Sequence, residues 1–593
     1  MPLLLLPLIL LFSTRFTSAA KSNVLFIIVD DLRAQAGGPF GQSTLTPNLN
    51  ALSARGVAFT RAYVQVSLCS PSRTSILTGF RPDRTRLWTI GPYFRDTAPG
   101  AHSISTLPQT LKNSGWNASG AGKIWHPGTS SGGDPHWGHG DVGGDDQPYS
   151  WSEYVPEGVD ARAVFWECDA WMNSTGQSAR SAGVPGGAGC VTSQACVACL
   201  EAHNGTDGNA VTVTPCPDEC YVDSMVSTRV AAVLKEKAKS GESFAFFAGF
   251  KRPHLGFQVP KHAFDLYAPN QSIAASRQPP LGMPAAGWWR NGEIDGEPDV
   301  HPFVLPTHPH TIYPGLINDT AHALLRRAYY AAVSWMDEQL GLILGALDAT
   351  GLAESTWVVF VGDHGWSLGE HGNWAKQQLF ENALRVPLVF APPRGESGWR
   401  TNATVGAADG AFVEALDIYP TLADLLGFQV SGLEGRSLVP FLRQGGGGGG
   451  GGGPPGNFSF ALSQVVRADR PCQPPSSSLT PLPSRESSDP PTAPPTPNAP
   501  PCVMGLSVRV NGYRFTQWLN FSYTGQGALW DQVEGEELYD HTKADGGGNA
   551  ADPGLDYDDT SENFNVADDP HFADVKLELL ALLKAGFPPL NKA

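Results

Sequence analysis

The chain has 593 residues, of which 41% are hydrophobic and 16% are charged, and its formal net charge is −17. This length and apolar content suffice for a large core and for more than one structural unit. The acidic balance disfavours nucleic-acid binding, which needs clustered Lys and Arg, and an anionic substrate would require a local basic pocket.

The N-terminus has the pattern of a secretory signal peptide over residues 1–20, because an apolar run at residues 3–12 is followed by small residues at 18–20. The run is too short for a membrane anchor, which needs about 20 residues, and no later segment is long and apolar enough to span a bilayer. We therefore expect a secreted or lysosome-like location. N-x-S/T sequons agree with a glycoprotein and occur at Asn117, Asn173, Asn204, Asn270, Asn318, Asn402, Asn457 and Asn520.

The first predicted strand covers residues 24–29, with the sequence VLFIIV. A continuous apolar run of this kind is typical of a strand buried on both faces of a parallel sheet. Asp30 and Asp31 follow it directly. An aspartate in this position commonly caps a helix or turn, but the carboxyl end of a parallel strand is also where such sheets bind ligands.

The segment LCSPSRT at residues 68–74 leads into TSILTG, which is compatible with a helix. A group at a helix N-terminus faces backbone N–H donors and the positive end of the helix dipole, so the position of Cys69 favours an anion. Arg73 lies one helical turn further on and is expected to reach back toward Cys69.

Nine cysteines in an oxidising compartment predict four disulfides and one unpaired cysteine. Eight fall into a cysteine-rich insertion at about residues 130–222 and a distant pair: Cys168, Cys190, Cys196, Cys199, Cys216 and Cys220, then Cys472 and Cys502. The spacings in the insertion also occur in zinc sites, but a secreted chain favours disulfides. Cys69 is the cysteine left over.

Further buried strands are predicted at residues 244–247, 357–361 and 388–390. A helix between them is indicated by apolar residues at helical spacing: Leu325, Ala328, Ala332, Trp335, Leu340 and Ile343. Strands that alternate with helices predict an α/β fold, with a large, mostly parallel sheet flanked by helices.

Asp363 and His364 follow the strand at 357–361 across one glycine. The carboxyl ends of parallel strands share one edge of the sheet, so we expect this pair to meet Asp30 and Asp31. Carboxylate oxygens with an imidazole suit a divalent cation such as Ca²⁺ or Mg²⁺. Two pairs in the same strand context favour a metal site over capping alone.

Basic residues accumulate near the same strand ends. Lys123 and His126 lie in GKIWHPG, His254 in KRPHLGF and Lys376 in HGNWAK. Each alone is more typical of a solvated surface charge. Together with Arg73 and a divalent ion, however, they would neutralise a tetrahedral oxyanion ester and protonate its leaving group.

The C-terminal part differs in composition. A glycine run at 445–453 and a Pro/Ser-rich stretch at 474–501 predict a flexible loop over about 445–501. The following sequence, MGLSVRVNGYRFTQWLNF, alternates as antiparallel strands do. The predicted organisation is a signal peptide at 1–20, a catalytic domain at 21–435 and a smaller α+β C-terminal subdomain with an antiparallel sheet at 436–593.

These motifs together resemble the formylglycine-dependent sulfatase family of the alkaline phosphatase-like superfamily. The similar segments run from about residue 23 to 509: NVLFIIVDDLR, CSPSRTSILTGFRPDRTRLW, GKIWHPG, KRPH, VVFVGDHGWSLGEHGNWAK, RVPLVF and MGLSVR. The C-x-P-x-R pattern with LTG downstream is highly specific. His364 stands where many sulfatases have Asn, which points toward the iduronate-2-sulfatase branch.

The resemblance implies that a formylglycine-generating enzyme oxidises Cys69 to Cα-formylglycine during maturation. It implies one Ca²⁺ ion, whose ligands match Asp30, Asp31, Cys69 in its modified form, Asp363 and His364. The other active-site groups match Arg73, Lys123, His126, His254 and Lys376.

In the mechanism that the resemblance implies, the hydrated aldehyde attacks sulfur while Lys123 and Lys376 hold the sulfuryl oxygens. His254 or Lys376 then donates a proton to the departing sugar alcohol. His126 removes a proton from the second hydroxyl, so that sulfate leaves and the aldehyde returns.

The implied activity is sulfate ester hydrolysis on a sulfated sugar or glycosaminoglycan-like saccharide. A phosphomonoesterase or phosphonate monoester hydrolase of the same superfamily is the alternative enzyme, and an inactive sulfated-glycan-binding protein is a third interpretation. The cysteine-rich insertion and the Gly/Pro loop depart from that branch, and the insertion is expected to border the pocket. Trp366 and Trp374 are candidates either for stacking on a sugar or for the core.

Overall fold

The structure is a computed structural model that describes residues 22–132 (except 36 and 42), 145–152, 196, 199, 202, 209–269, 279–288, 292–295, 299–300, 317–445, 458–467, 502–522, 527–542 and 562–588. The predicted signal peptide, most of the cysteine-rich insertion and most of the predicted Gly/Pro loop at 445–501 lie outside these residues. Within that loop, however, residues 460–467 form a buried strand where the composition predicted flexibility. No helix in the described ranges has the length and apolarity that crossing a membrane requires.

The structure contains both of the sheets predicted from the sequence. The strands in the described residues are β1 Asn23–Val29, β2 Val57–Tyr63, β3 Asn117–Gly122, β4 Val211–Thr214, β5 Phe244–Phe250, β6 Phe257–Pro260, β7 Thr356–Gly362, β8 Ser367–Leu368, β9 Trp374–Ala375, β10 Arg385–Ala391, β11 Ala403–Val405, β12 Val413–Glu414, β13 Phe460–Arg467, β14 Cys502–Val510, β15 Tyr513–Ser522 and β16 Gly527–Asp540.

The helices lie mostly between the strands of the first sheet. The α-helices in the described residues are α1 Pro47–Arg55, α2 Cys69–Thr78, α3 Pro82–Thr85, α4 Phe94–Thr97, α5 Leu107–Asn113, α6 Val222–Ser240, α7 Lys261–Phe264, α8 Gly292–Asp295, α9 Asp319–Ala349, α10 Glu381–Leu384, α11 Ile418–Leu426, α12 Val439–Leu442 and α13 Ala573–Gly586.

The large sheet has the order β11-β2-β10-β7-β1-β5-β3, with β12 also paired to β2. The central strand β1 runs parallel to both neighbours, β5 and β7. The strand β10 runs antiparallel to β7 and β2, so the sheet is mixed but mostly parallel. The predicted fold class is confirmed.

Both faces of this sheet are covered, as the apolar runs require. Leu25 and Ile27 of β1 pack in one core with helices α1, α6 and α9. Phe26 and Ile28 pack in a second core with α2, α5 and α11. Successive side chains of a strand point to opposite faces, so an unbroken apolar strand feeds two cores at once.

The second sheet has the order β13-β14-β15-β16 and is antiparallel throughout, as its alternating sequence predicts. Helix α13 covers one face through Leu579 and Leu583. Ala461 and Val465 of β13 belong instead to a core of the large sheet. The two sheets are therefore joined by continuous apolar packing.

The structure pairs Cys196 with Cys220 and Cys199 with Cys216, which supports disulfides over a zinc site in the insertion. Two predicted sequons are poor acceptors, because Asn117 and Asn520 are only 9% and 8% exposed within β3 and β15. Asn402 is exposed.

Candidate active site and metal centre

Two acidic turns meet at the carboxyl ends of β1 and β7. The strands lie side by side in parallel register, with Val29 opposite Gly362, so the residues that follow them are neighbours. The backbone N–H of Asp31 donates to Asp363 Oδ1 at 2.9 Å. Asp31 adopts φ 58°, a left-handed conformation that is uncommon for residues other than glycine and that turns its carboxylate out of the strand direction.

Cys69 stands at the start of helix α2, facing these turns. The helix is buried along its whole length and ends at Gly79, whose φ of 72° favours glycine there. Cys69 Sγ lies 3.6 Å from Asp30 Oδ1 and 3.3 Å from His364 Nε2. Of the cysteines in the described residues, Cys69 is free, and the prediction that it stays outside the disulfides is confirmed to that extent.

Arg73 clamps the two acidic turns together. Its Nη2 lies 2.9 Å from Asp30 Oδ1 and its Nε lies 2.8 Å from Asp363 Oδ2, and all three side chains are fully buried. A third donor, Nη1, reaches the backbone carbonyl of Ile124 at 3.1 Å. The hydrogen bonds of Arg73 thus go to carboxylates and backbone carbonyls, where the sequence suggested only a reach toward Cys69.

Two lysines contact both the thiol and the acidic turns. Lys123 Nζ lies 2.5 Å from Asp30 Oδ2 and 3.6 Å from Cys69 Sγ. Lys376 Nζ lies 3.2 Å from Asp31 Oδ1 and 3.4 Å from Cys69 Sγ. Both ammonium groups are buried, so each is balanced by a carboxylate instead of water.

The two remaining histidines, His254 and His126, lie at the edge of this cluster of charged side chains. His254 Nε2 lies 3.4 Å from Lys376 Nζ and 3.9 Å from Asp31 Oδ2. His126 is buried, and its Nδ1 hydrogen-bonds the carbonyl of Pro127 at 3.0 Å. All ten residues predicted from the sequence therefore lie in or beside one buried cluster.

Burial and charge set the protonation of the cluster. Burial lowers the pKa of His254 well below its usual value, and Lys376 lowers it further. Burial would also lower the pKa of Lys376, but Asp31 raises it well above the ordinary lysine value. This lysine–histidine pair therefore holds its proton on the lysine. Burial raises the pKa of the Cys69 thiol to about 12, so an unmodified thiol would be a poor nucleophile near neutral pH.

The carboxylates differ among themselves. Burial alone would raise the pKa of Asp30, but Lys123 and Arg73 lower it well below the usual range. At Asp31, burial acts to raise the pKa, while Lys376 and His364 act to lower it. Burial also raises the pKa of Asp363. Asp30 is therefore the anion that the site's cations stabilise most.

The donor set fits a divalent cation. Ligand atoms of Asp30, Asp31, Cys69 and His364 all lie within 4.8 Å of one another. Asp363 lies beside them, but its oxygens already accept hydrogen bonds from Arg73 and from the backbone of Asp31. Carboxylates suit Ca²⁺ whereas a thiol does not, so a calcium site here would be better served by an oxygen at position 69.

A second acidic cluster in the described residues is an ion-pair network instead. Glu381, His541 and Glu562 are close enough for a metal site. However, Arg509 Nε lies 2.8 Å from Glu381 Oε1, and Arg514 Nε lies 2.7 Å from Glu562 Oε1. The arginines already neutralise these carboxylates.

The structure adds groups that the sequence did not reveal. The Tyr329 hydroxyl donates to the Asp31 carbonyl at 2.7 Å, and Glu293 Oε1 lies 3.2 Å from Lys376 Nζ. In the sequence, Tyr329 has the spacing of an ordinary core position of an amphipathic helix. Nothing in the sequence around Glu293 indicates a functional residue. Trp366 is fully buried and Trp374 is 7% exposed, so both are core residues and neither presents a face to a sugar.

Comparisons with known proteins agree on one family. The Sulfatase family profile matches residues 22–428. The chain is 31% identical to iduronate 2-sulfatase of Homo sapiens over 559 residues, covering 87% of this chain and 88% of that protein. It is also 31% identical to a sulfatase of Formosa agariphila over 431 residues, covering 72% of this chain and 73% of that protein.

Solved structures agree on the fold. A phosphonate monoester hydrolase from Silicibacter pomeroyi aligns with a TM-score of 0.61 and 21% identity, covering 96% of each chain. A 2-O GAG sulfatase aligns with a TM-score of 0.56 and 18% identity, covering 95% of this chain and 92% of that one. At these identities the likeness concerns the fold alone.

Proposed function

The chain belongs to the sulfatase family, and its relatives support sulfate ester hydrolysis as its reaction; we propose that it removes a 2-O-sulfate from a uronate-containing saccharide. The observation that carries the proposal is the surroundings of Cys69, where two ammonium groups, a carboxylate and an imidazole lie within 3.6 Å of one sulfur atom. The likeness to iduronate 2-sulfatase supports the choice of sugar.

The role of each side chain in the proposed reaction follows from its position. Lys123 and Lys376 both contact the atom at position 69 and are placed to bind the oxygens of a sulfuryl group there. The Lys376–His254 pair holds one proton and presents it to the departing sugar oxygen. His126 accepts a proton from residue 69 as sulfate leaves. Arg73 holds Asp30 and Asp363 in place.

We infer that one Ca²⁺ ion is held by Asp30, Asp31, Asp363, His364 and a formylglycine at position 69. When bound, the ion would supply positive charge beside the sulfuryl group, and the hydrated aldehyde would supply the oxygen nucleophile. The high pKa of the thiol supports this modification, because an unmodified Cys69 would be a weak nucleophile.

Mass spectrometry of the peptide that contains Cys69 tests the proposal, using protein made in a host with the formylglycine-generating enzyme. We expect a peptide lighter by the difference between CH₂SH and CHO, and hydrolysis of 2-O-sulfated uronate disaccharides in preference to other sulfated saccharides. An unmodified thiol would contradict the sulfatase mechanism. Faster turnover of phosphate or phosphonate esters than of sulfate esters would favour the alternative enzyme.

A further inference from the structure

One carboxylate of the site is not needed by any role described above. Glu293 lies on the short helix α8, and its Oε1 is 3.2 Å from Lys376 Nζ. Its side chain is 26% exposed, whereas that of Lys376 is 1% exposed. Asp31 and Cys69 contact the same ammonium group from the buried side. Glu293 is therefore the partly exposed partner of a buried ammonium group.

This position matters to a substrate because the leaving group must point outward. A sulfuryl group on residue 69 would lie against Lys376, and its ester oxygen would then point toward the partly exposed Glu293, since the opposite side of the ammonium group is buried. The Glu293 carboxylate is one contact further out. The substituents on the neighbouring carbon are thus the part of the substrate that meets Glu293.

A carboxylate can only accept hydrogen bonds, and it repels another anion. A hydroxyl or ammonium group beside the ester would donate to Glu293. A second sulfate or a carboxylate at the same place would face a negative charge in a partly buried site, where water screens it poorly. The two effects select the same class of substrate, one through attraction and the other through repulsion.

We propose that Glu293 is a specificity-determining residue that accepts a hydrogen bond from a free hydroxyl or ammonium group on the carbon next to the sulfate ester, and that excludes substrates with a second anionic group there. The inference rests on the proposed sulfatase function and narrows its substrate class. The competing explanation is that Glu293 only balances the charge of Lys376, which would affect all substrates alike.

Three aryl probes separate these explanations: 4-nitrocatechol sulfate carries a hydroxyl next to the ester, 4-nitrophenyl sulfate carries none, and 4-nitrocatechol disulfate carries a second sulfate. The variants are Glu293→Ala, Glu293→Gln and the control Glu242→Gln, whose side chain is 50% exposed and pairs with Lys237. We expect Glu293→Ala to lower the kcat/KM ratio of 4-nitrocatechol sulfate to 4-nitrophenyl sulfate about tenfold, the size of a lost charged hydrogen bond.

We also expect Glu293→Gln to raise the kcat/KM ratio of 4-nitrocatechol disulfate to 4-nitrophenyl sulfate about tenfold. Glutamine removes the negative charge that repels the second sulfate but keeps the size and shape of the side chain. The control should keep the wild-type ratios. Ratios that stay constant in both Glu293 variants, including an equal loss on all three probes, would overturn the inference while leaving the sulfatase function intact. A wild-type enzyme that hydrolyses none of the three aryl sulfates and none of the 2-O-sulfated uronate disaccharides would instead overturn the proposed function and the inference with it.

Discussion

Arg73 offers a direct test of how the site is held together, through the variant Arg73→Ala. In the folded protein the guanidinium bridges Asp30 and Asp363 at 2.9 and 2.8 Å, and all three side chains have 0% exposure. The variant leaves two buried carboxylates without their shared cation, and Asp363 loses this ion pair while Asp30 keeps its contact with Lys123. Breaking a buried pair by removing one partner costs about 3–5 kcal/mol, because the remaining charge stays buried and uncompensated.

The assay is urea unfolding followed by circular dichroism, in EDTA so that no added metal contributes. The control is Arg394→Ala, because Arg394 Nη2 lies 2.9 Å from Asp348 Oδ2 in a pair whose side chains are 45% and 39% exposed. Screening by water limits an exposed pair to less than about 1 kcal/mol. The two variants therefore compare the same contact distance in buried and solvated settings.

Two further measurements sharpen the comparison. Arg73→Lys keeps the charge but loses the planar fork, so its destabilisation should fall between wild type and Arg73→Ala. Calcium should stabilise Arg73→Ala more than wild type, because the freed carboxylates attract the ion and ligand binding stabilises the folded state by mass action. Equal destabilisation by Arg73→Ala and Arg394→Ala would refute the reasoning from burial.

Two other predictions concern protons. His254→Ala breaks the Lys376–His254 pair that presents the proton, so it should lower turnover of a sugar sulfate by roughly 10²–10⁴-fold but affect an activated aryl sulfate far less, since a good leaving group needs no acid. The exposed His262→Ala is the control, and an equal effect on both esters would show that this pair does not supply the proton. Burial raises the pKa of Asp223 to about 6. The folded protein thus binds this proton more tightly than the unfolded chain does. The free energy of unfolding should therefore fall by about 3 kcal/mol in total as pH rises from about 4 to 6. Asp223→Asn should remove that slope in unfolding free energies measured across this range, and parallel curves for variant and wild type would contradict the assignment.

The placement of the candidate metal ligands was predictable because two simple rules act together. Unbroken apolar runs identify strands buried on both faces, and parallel strands bring their carboxyl ends to one edge. The pairs that follow β1 and β7 were expected to meet for this reason, and they do. No side-chain detail was needed.

Other features depend on information that local sequence does not contain. The run at 388–390 identifies a buried strand, but apolar residues carry no direction, and β10 turns out to be antiparallel to its neighbours. Helical spacing places Arg73 one turn after Cys69 but does not say where a flexible guanidinium finds its acceptors. Glu293 reaches Lys376 through a tertiary contact between segments far apart in the chain.

The contact between the second sheet and the loop that carries Lys376 is the feature least predictable from the sequence. Lys376 lies between Ala375 and Gln377, whose φ values of 66° and 65° place both in the left-handed region. Such residues cost about 1–3 kcal/mol each and persist only where surrounding contacts fix them. Arg467, at the end of β13, supplies one such contact by donating to the Gln377 carbonyl.

The same guanidinium also donates to the carbonyls of Ala286 and Gly287, at 3.1 Å each, in the segment that precedes Glu293. One arginine of the second sheet therefore holds two backbone segments, the one that follows Lys376 and the one that precedes Glu293. The family profile ends at residue 428, before this arginine. The region that matches the family profile thus contains all of the candidate site residues, while a residue beyond it holds the loop that carries Lys376. The C-terminal sheet therefore contributes to the architecture of the candidate active site.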